Sequence, residues 1–311
     1  MKAYLFPGQG SQFPGMGRDL YEAYSEARAV FDEADEVLGF PLTACCFSTR
    51  EDAMRALTQT DVCQPAIFTH SVAAFRALKQ APDAVAGHSV GEYSALAACG
   101  AISLPDGLRT IRVRAQLMAQ AGKKRPGTMS AILGLDHEIL ATICSEASQG
   151  DQVVQPANFN APGQVVISGD TGAVRRAGTL AKERGAMRVI PLNVSGAFHS
   201  VLMQEVHKRF MRQVAGLAVT RPASPIYLNT TGCATTDTDK IRTNMIQQLT
   251  SPVRWMQSLK AMQADGITSF VEVGPGRVLT GLVRRTLGRT TSAIQAGTKA
   301  QITGMHTVLS S

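Results

Sequence analysis

Residues 83–98 read DAVAGHSVGEYSALAA, and this stretch indicates the fold class. The short apolar run up to Ala86 is typical of a buried strand, while the residues from Glu92 onward are strong helix formers. Between them, GHSVG fits the G-x-S-x-G pattern of a strand-to-helix elbow, which presents a serine in a strained, exposed turn. The N-terminus of the following helix, with its free N–H groups, faces the serine oxygen. We therefore predict a nucleophilic Ser89, with a glycine-flanked serine on an ordinary turn as the alternative.

Two further segments repeat the order strand, glycine-rich turn, helix. Residues 3–6 are apolar, PGQGSQ follows at residues 7–12, and a helical pattern runs from about Asp19 to Leu38. Near the C-terminus, SFVEV at residues 269–273 passes through a Gly-Pro-Gly turn into another helical pattern. Repeated units of this kind predict a large α/β-hydrolase-like domain with a mainly parallel sheet.

The middle of the chain follows a different pattern, with elements in the order β-α-β-β-α-β. The predicted elements are strand 129–133, helix 137–147, strands 153–157 and 164–168, helix 174–184 and strand 187–192. This order is typical of a ferredoxin-like fold. We therefore predict a small ferredoxin-like domain, residues 127–194, inserted into a large α/β catalytic domain of residues 1–126 and 195–311.

The composition excludes several classes of function. The 311 residues carry a net charge of +7, but only 5% are aromatic and the longest basic run is KKR at residues 123–125. We therefore expect no nucleic-acid partner, because a base-stacking surface and extended basic tracts are missing. No apolar run reaches the ~18–20 residues of a membrane helix, and the N-terminus does not resemble a signal peptide, so we expect no membrane partner. The glycine-rich turns match neither a dinucleotide fingerprint nor a P-loop.

The spacing of the cysteines and histidines limits the metal, disulfide and catalytic roles that these residues could have. None of the six cysteines has C-x-x-C spacing, which favours reduced thiols in a cytoplasmic protein and gives no zinc site. His199 lies in a loop of small residues where the inserted segment returns to the large domain, a natural position for a catalytic base. From its position alone, His199 could also be an ordinary loop histidine without a catalytic role. The side chain of His88 is expected to point away from that of its neighbour Ser89. Four histidines fall in helical or terminal contexts typical of surface or packing positions: His70, His137, His207 and His306.

Five motifs occur together in one order along the chain. They are FPGQGSQ (residues 6–12), GHSVGE (87–92), RVRAQLM (112–118), GAFH (196–199) and EVGPG (272–276). In this combination the sequence resembles malonyl-CoA:acyl carrier protein transacylases and the acyltransferase domains of polyketide synthases, including acyltransferases that act in trans. The resemblance runs from Lys2 to about Leu287, and the family also has an inserted ferredoxin-like domain.

The resemblance implies a catalytic dyad. Ser89 would be the nucleophile, and His199 the base that takes its proton and returns it to the departing thiol. In this family a backbone carbonyl, which maps to Gln248, orients the histidine in place of a carboxylate. The backbone N–H groups of Gln9 and Val90 would form the oxyanion hole for the tetrahedral intermediate.

The resemblance also implies how the substrate is selected. Arg114 would bind the free carboxylate of a malonyl group, because a guanidinium offers a planar fork that matches a carboxylate. Phe198 resembles the bulky residue that narrows the space beside the substrate α-carbon in malonyl-selective members, although polyketide domains often carry histidine at the position of Gly196. Asn160 and Gln164 are candidates for lining the cleft between the domains, with turn residues as the alternative.

The implied function is transfer of a malonyl group from malonyl-CoA to the phosphopantetheine thiol of an acyl carrier protein. We expect malonyl-CoA as a substrate, no permanently bound cofactor, no metal and a monomeric protein. The net charge of +7 would suit two anionic partners, the coenzyme A thioester and an acidic carrier protein. Two alternatives are an acyl hydrolase of the same fold and a catalytically silent carrier-protein docking module. The pathway, fatty-acid or polyketide synthesis, stays open, and GAFH slightly favours the polyketide line.

Overall fold

The computed structural model describes residues 1–310, which form two β-sheets surrounded by helices. The strands in this range are β1 (Lys2–Phe6), β2 (Ala84–Gly87), β3 (Gly127–Leu133), β4 (Val154–Ala161), β5 (Gln164–Asp170), β6 (Arg188–Pro191), β7 (Ile226–Tyr227), β8 (Ala234–Thr235), β9 (Ser269–Glu272) and β10 (Ser292–Gln295). The first sheet has the order β10-β9-β1-β2-β7-β8, and the second has the order β4-β5-β3-β6.

The six-stranded sheet is mainly parallel, which confirms the predicted α/β class. β1 pairs in parallel with β2 and β9, β9 with β10, and β2 with β7, while β7 and β8 are antiparallel. All four residues of β2 are buried, as is usual for a strand covered by helices on both faces. In the register of the sheet, Phe6 lies opposite Gly87. The PGQGSQ turn and the GHSVG elbow therefore leave the sheet side by side at its carboxyl edge.

Helices cover both sheets. The α-helices of the described range are α1 (Arg18–Ala23), α2 (Ser25–Leu38), α3 (Leu42–Phe47), α4 (Ala53–Thr58), α5 (Thr60–Leu78), α6 (Gly91–Ala98), α7 (Leu104–Lys124), α8 (His137–Ala147), α9 (Thr171–Glu183), α10 (Gln204–Ala215), α11 (Thr238–Gln247), α12 (Trp255–Ala264), α13 (Val278–Leu287) and α14 (Lys299–Ser310). A short 3-10 helix, Val201–Met203, precedes α10. No helix among residues 1–310 is long and apolar enough to cross a membrane.

The four-stranded sheet has the connectivity of a ferredoxin-like fold. β3, β5, β4 and β6 pair only as antiparallel neighbours, and α8 and α9 connect β3 to β4 and β5 to β6. Their buried side chains form a separate apolar cluster that includes Ile132, Leu140 and Ile167. These elements lie between Gly127 and Pro191, and the division of the chain into two domains at 126/127 and 194/195 stays a prediction.

The structure corrects two predicted elements. The single helix predicted from Asp19 to Leu38 is two helices, because Tyr24 takes an extended conformation while its ring packs against the core. β4 continues to Ala161 instead of ending at Ala157, with irregular register on either side of Asn158. The connection to β5 is thereby reduced to a tight turn at Gly163, whose φ of 66° favours glycine.

The small sheet is attached to the rest of the molecule beside α11. The backbone N–H of Phe159 donates to the carbonyl of Val253 at 2.9 Å, and the N–H of Val253 donates to Ala157 at 2.8 Å. Val253 follows the C-terminal end of α11 by a few residues. The strand β4 therefore lies against the segment that contains Gln248.

Candidate active site

Ser89 occupies the elbow between β2 and α6. Its φ of 54° lies in the left-handed region, which costs a residue with a side chain on the order of 1 kcal/mol or more. The flanking glycines are required by contact, since a Cβ on Gly87 would lie 1.9 Å from the carbonyl oxygen of Gly91, and a Cβ on Gly91 would lie 2.1 Å from that of Phe6. The strained turn is stabilised by Asn229, whose Oδ1 accepts the Ser89 N–H at 2.8 Å and whose Nδ2 donates to Gly87 at 2.7 Å.

The fold brings Ser89 and His199 together across 110 residues of sequence. Ser89 Oγ lies 2.7 Å from His199 Nε2, and His199 Nδ1 lies 2.8 Å from the backbone carbonyl of Gln248. A carbonyl can only accept, so Nδ1 carries the proton and Nε2 is free to accept from the serine hydroxyl. Gln248 is the residue that caps the C-terminus of α11, where carbonyls lack partners within the helix. The geometry is that of a serine–histidine dyad oriented by a helix-terminal carbonyl.

The environment keeps His199 uncharged. The residue is 3% exposed, and burial, assisted by the positive charge of Arg114, lowers the pKa of its imidazole to about 3. The bond to the Gln248 carbonyl opposes this shift because it stabilises the charged ring. At neutral pH the ring is therefore a proton acceptor at Nε2, as a general base requires.

We expect the ring resonances of His199 to stay constant between pH 8 and pH 5 in NMR spectra. A lowered pKa extends the neutral form to lower pH, whereas an ordinary histidine would titrate near 6.5. His199→Asn assigns the signals in the same spectra. By linkage, the folded state binds fewer protons at this site, so its contribution to stability is present above pH 6.5 and declines as the pH falls. Titration of His199 near pH 6.5 would contradict the buried, neutral base.

Arg114 is a fully buried cation on α7 whose hydrogen-bond partners are neutral. Its Nη1 donates to Oε1 of Gln64 at 2.6 Å, and its Nη2 donates to Oε1 of Gln248 at 2.9 Å and to Ser89 Oγ at 3.2 Å. The guanidinium carbon also lies 5.5 Å from the centre of the Tyr93 ring, and the buried Nε lacks a partner within the described range. Burial lowers the pKa of Arg114. The nearest carboxylate, Glu92, interacts with Arg114 only across Gln248, and no carboxylate hydrogen-bonds the guanidinium in the described residues, so this position favours an anionic ligand beside the serine.

A cavity of about 180 Å³ opens in front of Ser89. Eight of the nine predicted site residues line it, and Gln248 lies directly behind them. The cavity is lined by Gly8, Gln9, Gln64, His88, Ser89, Val90, Arg114, Met118, Met129, Asn158, Asn160, Gln164, Val166, Leu192, Val194, Phe198, His199, Val278, Leu279 and Leu282. Both sheets therefore contribute residues to its walls.

Asn160 and Gln164 both lie at the wall of the cavity. Both belong to strands, Asn160 to β4 and Gln164 to the start of β5, and both face the cavity. Asn160 Oδ1 lies 2.8 Å from Nε2 of His88, and Gln164 Oε1 accepts from Arg285 Nη1 at 2.7 Å. The ring of His88 also packs against Trp255, with the ring centres 5.5 Å apart. His88 thus joins the elbow to the small sheet.

Three polar residues of the site were missed by the sequence analysis. Gln64 binds Arg114 from a buried stretch of α5, Asn229 binds the elbow, and Glu92 lies buried behind Gln248. Gln64 could have been suspected as the one polar residue in the apolar stretch of residues 62–68. Asn229 lies in a loop without a recognisable pattern. Among residues 1–310, no group of three or more His, Cys, Asp or Glu side chains is arranged as a metal site.

Comparison with known proteins places the chain in a class defined by this architecture. A family model described as an acyl transferase domain matches residues 3–308, and the chain belongs to this family. Among curated relatives, the malonyl CoA-acyl carrier protein transacylase of Bacillus subtilis is 44% identical over 286 residues, covering 91% of this chain and 89% of the relative. The protein of the same name from Escherichia coli K12 is 41% identical over 295 residues, covering 94% of each.

Solved structures give the same result. An acyl carrier protein S-malonyltransferase from Vibrio cholerae superposes with a TM-score of 0.91 at 42% identity, covering 98% of this chain and 99% of its own. A malonyl-transacylase solved in complex with a type II polyketide acyl-carrier protein has a TM-score of 0.91 at 38% identity, covering 97% of each chain. The family resemblance and the fold class predicted from the sequence are confirmed.

Proposed function

We propose that this protein transfers malonyl groups from malonyl-CoA to the phosphopantetheine thiol of an acyl carrier protein through a malonyl-Ser89 intermediate. One observation carries the proposal: Arg114, a buried cation whose side-chain hydrogen bonds go to the neutral groups of Gln64, Gln248 and Ser89, lies 3.2 Å from the nucleophilic oxygen. In malonyl-CoA the acyl group carries a free carboxylate. This carboxylate would bind Arg114 while the thioester carbonyl faces Ser89. The names of the similar proteins support the same substrate and acceptor.

The first half-reaction acylates Ser89. His199 Nε2 accepts the proton of the serine hydroxyl as Oγ attacks the thioester carbonyl. The backbone N–H groups of Gln9 and Val90, both at the cavity wall, would stabilise the oxyanion. When the tetrahedral intermediate collapses, the carbon–sulfur bond breaks and the imidazolium returns its proton to the departing coenzyme A thiolate.

The second half-reaction reverses these roles. The phosphopantetheine thiol loses its proton to the same nitrogen of His199, and its sulfur attacks the ester carbonyl of malonyl-Ser89. The ester carbon–oxygen bond breaks, and the proton passes to Ser89 Oγ, which regenerates the free enzyme. The bond from Nδ1 to the Gln248 carbonyl would stabilise the imidazolium in both half-reactions.

Phe198 is proposed to restrict the space beside the α-carbon of the substrate. Its side chain is 5% exposed, lines the cavity, and approaches Gly196 so closely that a Cβ there would lie 3.3 Å from Cε1 of the ring. A residue larger than glycine at position 196 would therefore displace the ring.

We expect Phe198→Ala to raise the rate of acylation by methylmalonyl-CoA relative to malonyl-CoA by about ten-fold. The estimate follows from the ~1–3 kcal/mol with which a pocket discriminates one methyl group. The two thioesters can be mixed in one reaction, and mass spectrometry of the acyl-enzyme then gives the ratio of the two acylation rates. Because both compete for the same enzyme, errors in enzyme concentration cancel. A ratio equal to that of the wild type would remove Phe198 from substrate selection.

The proposal is tested by supplying radiolabelled malonyl-CoA together with a phosphopantetheinylated carrier protein. We expect label on the carrier protein and little free malonate. A hydrolase of the same fold would release malonate, although its usual acyl groups lack the carboxylate that Arg114 is placed to bind. A silent docking module would acquire no label, and the 2.7 Å contact of Ser89 with His199 disfavours that alternative.

The carrier protein and its pathway belong to the same proposal. Curated relatives and solved structures include enzymes named for malonyl transfer, and one of them was solved with a polyketide carrier protein. Loading rates for a panel of fatty-acid and polyketide carrier proteins would assign the pathway. We also propose that the protein acts in the cytoplasm, and that its charge of +7 accelerates encounters with anionic partners, an effect that salt should weaken.

A further inference from the structure

Glu92 is a buried carboxylate that the proposed mechanism leaves unused. It lies in the first turn of α6, three residues after Ser89, and its side chain is fully buried. Its oxygens accept from the backbone N–H of Asn229 at 2.6 Å, from Nε2 of Gln248 at 2.8 Å and from Nδ2 of Asn244. A buried carboxylate is costly unless several donors compensate it, so these N–H groups and Glu92 hold one another in place.

The hydrogen bond between Glu92 and Gln248 determines which way the side-chain amide of Gln248 faces. Nε2 donates to Glu92 and, at 3.1 Å, to the backbone carbonyl of Ser89. Oε1 is thereby turned toward Arg114, whose Nη2 donates to it at 2.9 Å. With the amide reversed, two donors would face each other at Arg114, and Glu92 would face an oxygen. The carboxylate therefore selects the orientation in which Arg114 is satisfied.

Glu92 also supports the dyad of Ser89 and His199, through Gln248 and Asn229. The backbone carbonyl of Gln248 accepts from Nδ1 of His199, so fixing the side chain of Gln248 restrains the group that orients the base. Asn229, held through its backbone by Glu92, binds the strained turn of Ser89 through its side chain. Contacts from one carboxylate thus reach the nucleophile, the base and the cation.

We propose that Glu92 is a positioning residue for acyl transfer, which acts through Gln248 on Arg114 and His199 and through Asn229 on the Ser89 elbow. The inference rests on the proposed function. Burial raises the pKa of Glu92 to about 7, while its N–H donors and the charge of Arg114 favour the ionised form. The ionised form is the one that can accept from every donor facing it.

Glu92→Met tests this role because methionine has a similar length and cannot accept the three bonds. We expect malonyl-CoA to acylate the variant about 10²-fold more slowly, since displacement of reacting groups by about 1 Å has effects of that size. The rate with malonyl-CoA should fall more than the rate with acetyl-CoA, because the side chain of Gln248, whose Oε1 accepts from Arg114, is no longer held in place. The downfield NMR resonance of the His199 Nδ1 proton should shift or broaden. Glu92→Gln, which retains an acceptor oxygen, should recover part of the rate.

Glu272→Met is the matched control. Glu272 is also a buried glutamate bonded to N–H donors, which belong to Leu279 and Thr280 at the start of α13. We expect this variant to lower the melting temperature and to keep the His199 resonance and the malonyl-to-acetyl rate ratio. If Glu92→Met behaves in the same way, its role is only structural and the proposal is overturned.

Gln248→Met provides a second route should Glu92→Met not fold. It keeps the backbone carbonyl and removes the amide that links Glu92 to Arg114. We expect the same fall in the malonyl-to-acetyl ratio, and an unchanged ratio would overturn the proposal. Failure of the proposed malonyl transfer can be distinguished from failure of the role proposed for Glu92, because the wild-type enzyme would then acquire no malonyl label. The His199 resonance would still report the effect of Glu92, since it requires no substrate.

Discussion

Ser89→Ala is expected to abolish labelling of the protein by malonyl-CoA. The hydroxyl lies 2.7 Å from Nε2 of His199 and in front of the cavity, and alanine leaves no atom that can form the acyl ester. Removal of the nucleophile from comparable enzymes lowers turnover by a factor on the order of 10⁶. Intact-protein mass spectrometry after incubation with malonyl-CoA measures the acylated fraction directly.

Ser94→Ala supplies the matched control for this experiment. Ser94 is buried on the same helix, α6, and its hydroxyl makes no hydrogen bond within the described residues. This variant should be acylated like the wild type, and far-ultraviolet circular dichroism should show both variants folded. Labelling of Ser89→Ala at the wild-type level would mean that another residue receives the acyl group.

Arg114→Ala is expected to reverse the preference for malonyl-CoA over acetyl-CoA. We expect acylation by malonyl-CoA to fall by a factor on the order of 10²–10³, because loss of one partner of a buried charge pair costs about 2–5 kcal/mol. Acetyl-CoA brings no carboxylate, so its rate should change much less. Rapid-quench measurements with each thioester give the two rates, and their ratio separates substrate recognition from general damage to the site.

Two further variants sharpen the test of Arg114. Arg114→Lys keeps the charge and loses the planar fork, so its ratio should lie between those of the wild type and Arg114→Ala. Arg109→Ala removes an exposed arginine of the same helix, which pairs with Asp106 at 3.3 Å, and should leave the ratio unchanged. A constant ratio across the Arg114 variants would show that another group binds the malonyl carboxylate.

The elbow and the class of both sheets could be predicted because they depend on local sequence. Gly87 and Gly91 are required by backbone contacts that exclude any Cβ, and such positions leave a recognisable pattern. The order of the predicted strands and helices similarly marked the small sheet. The break at Tyr24 and the irregular continuation of β4 past Asn158 were missed, because both depend on packing between segments distant in sequence.

The contacts within the site could not be derived from spacing. Ser89 and His199 are 110 residues apart, and Gln248 contributes a backbone atom that its residue type does not reveal. The family resemblance supplied those pairings. Asn229 remained unsuspected because its function comes from its position beside the elbow, which only the sheet order establishes.

A single-turnover chase is the sharpest test of malonyl transfer through Ser89. Enzyme acylated with malonyl-CoA would be separated from free thioester, the modified peptide identified by mass spectrometry, and phosphopantetheinylated carrier protein then added. We predict that malonyl leaves Ser89 and appears in equal amount on the carrier-protein thiol. Release as free malonate without loading of the carrier, or modification of a residue other than Ser89, would contradict malonyl transfer through this serine.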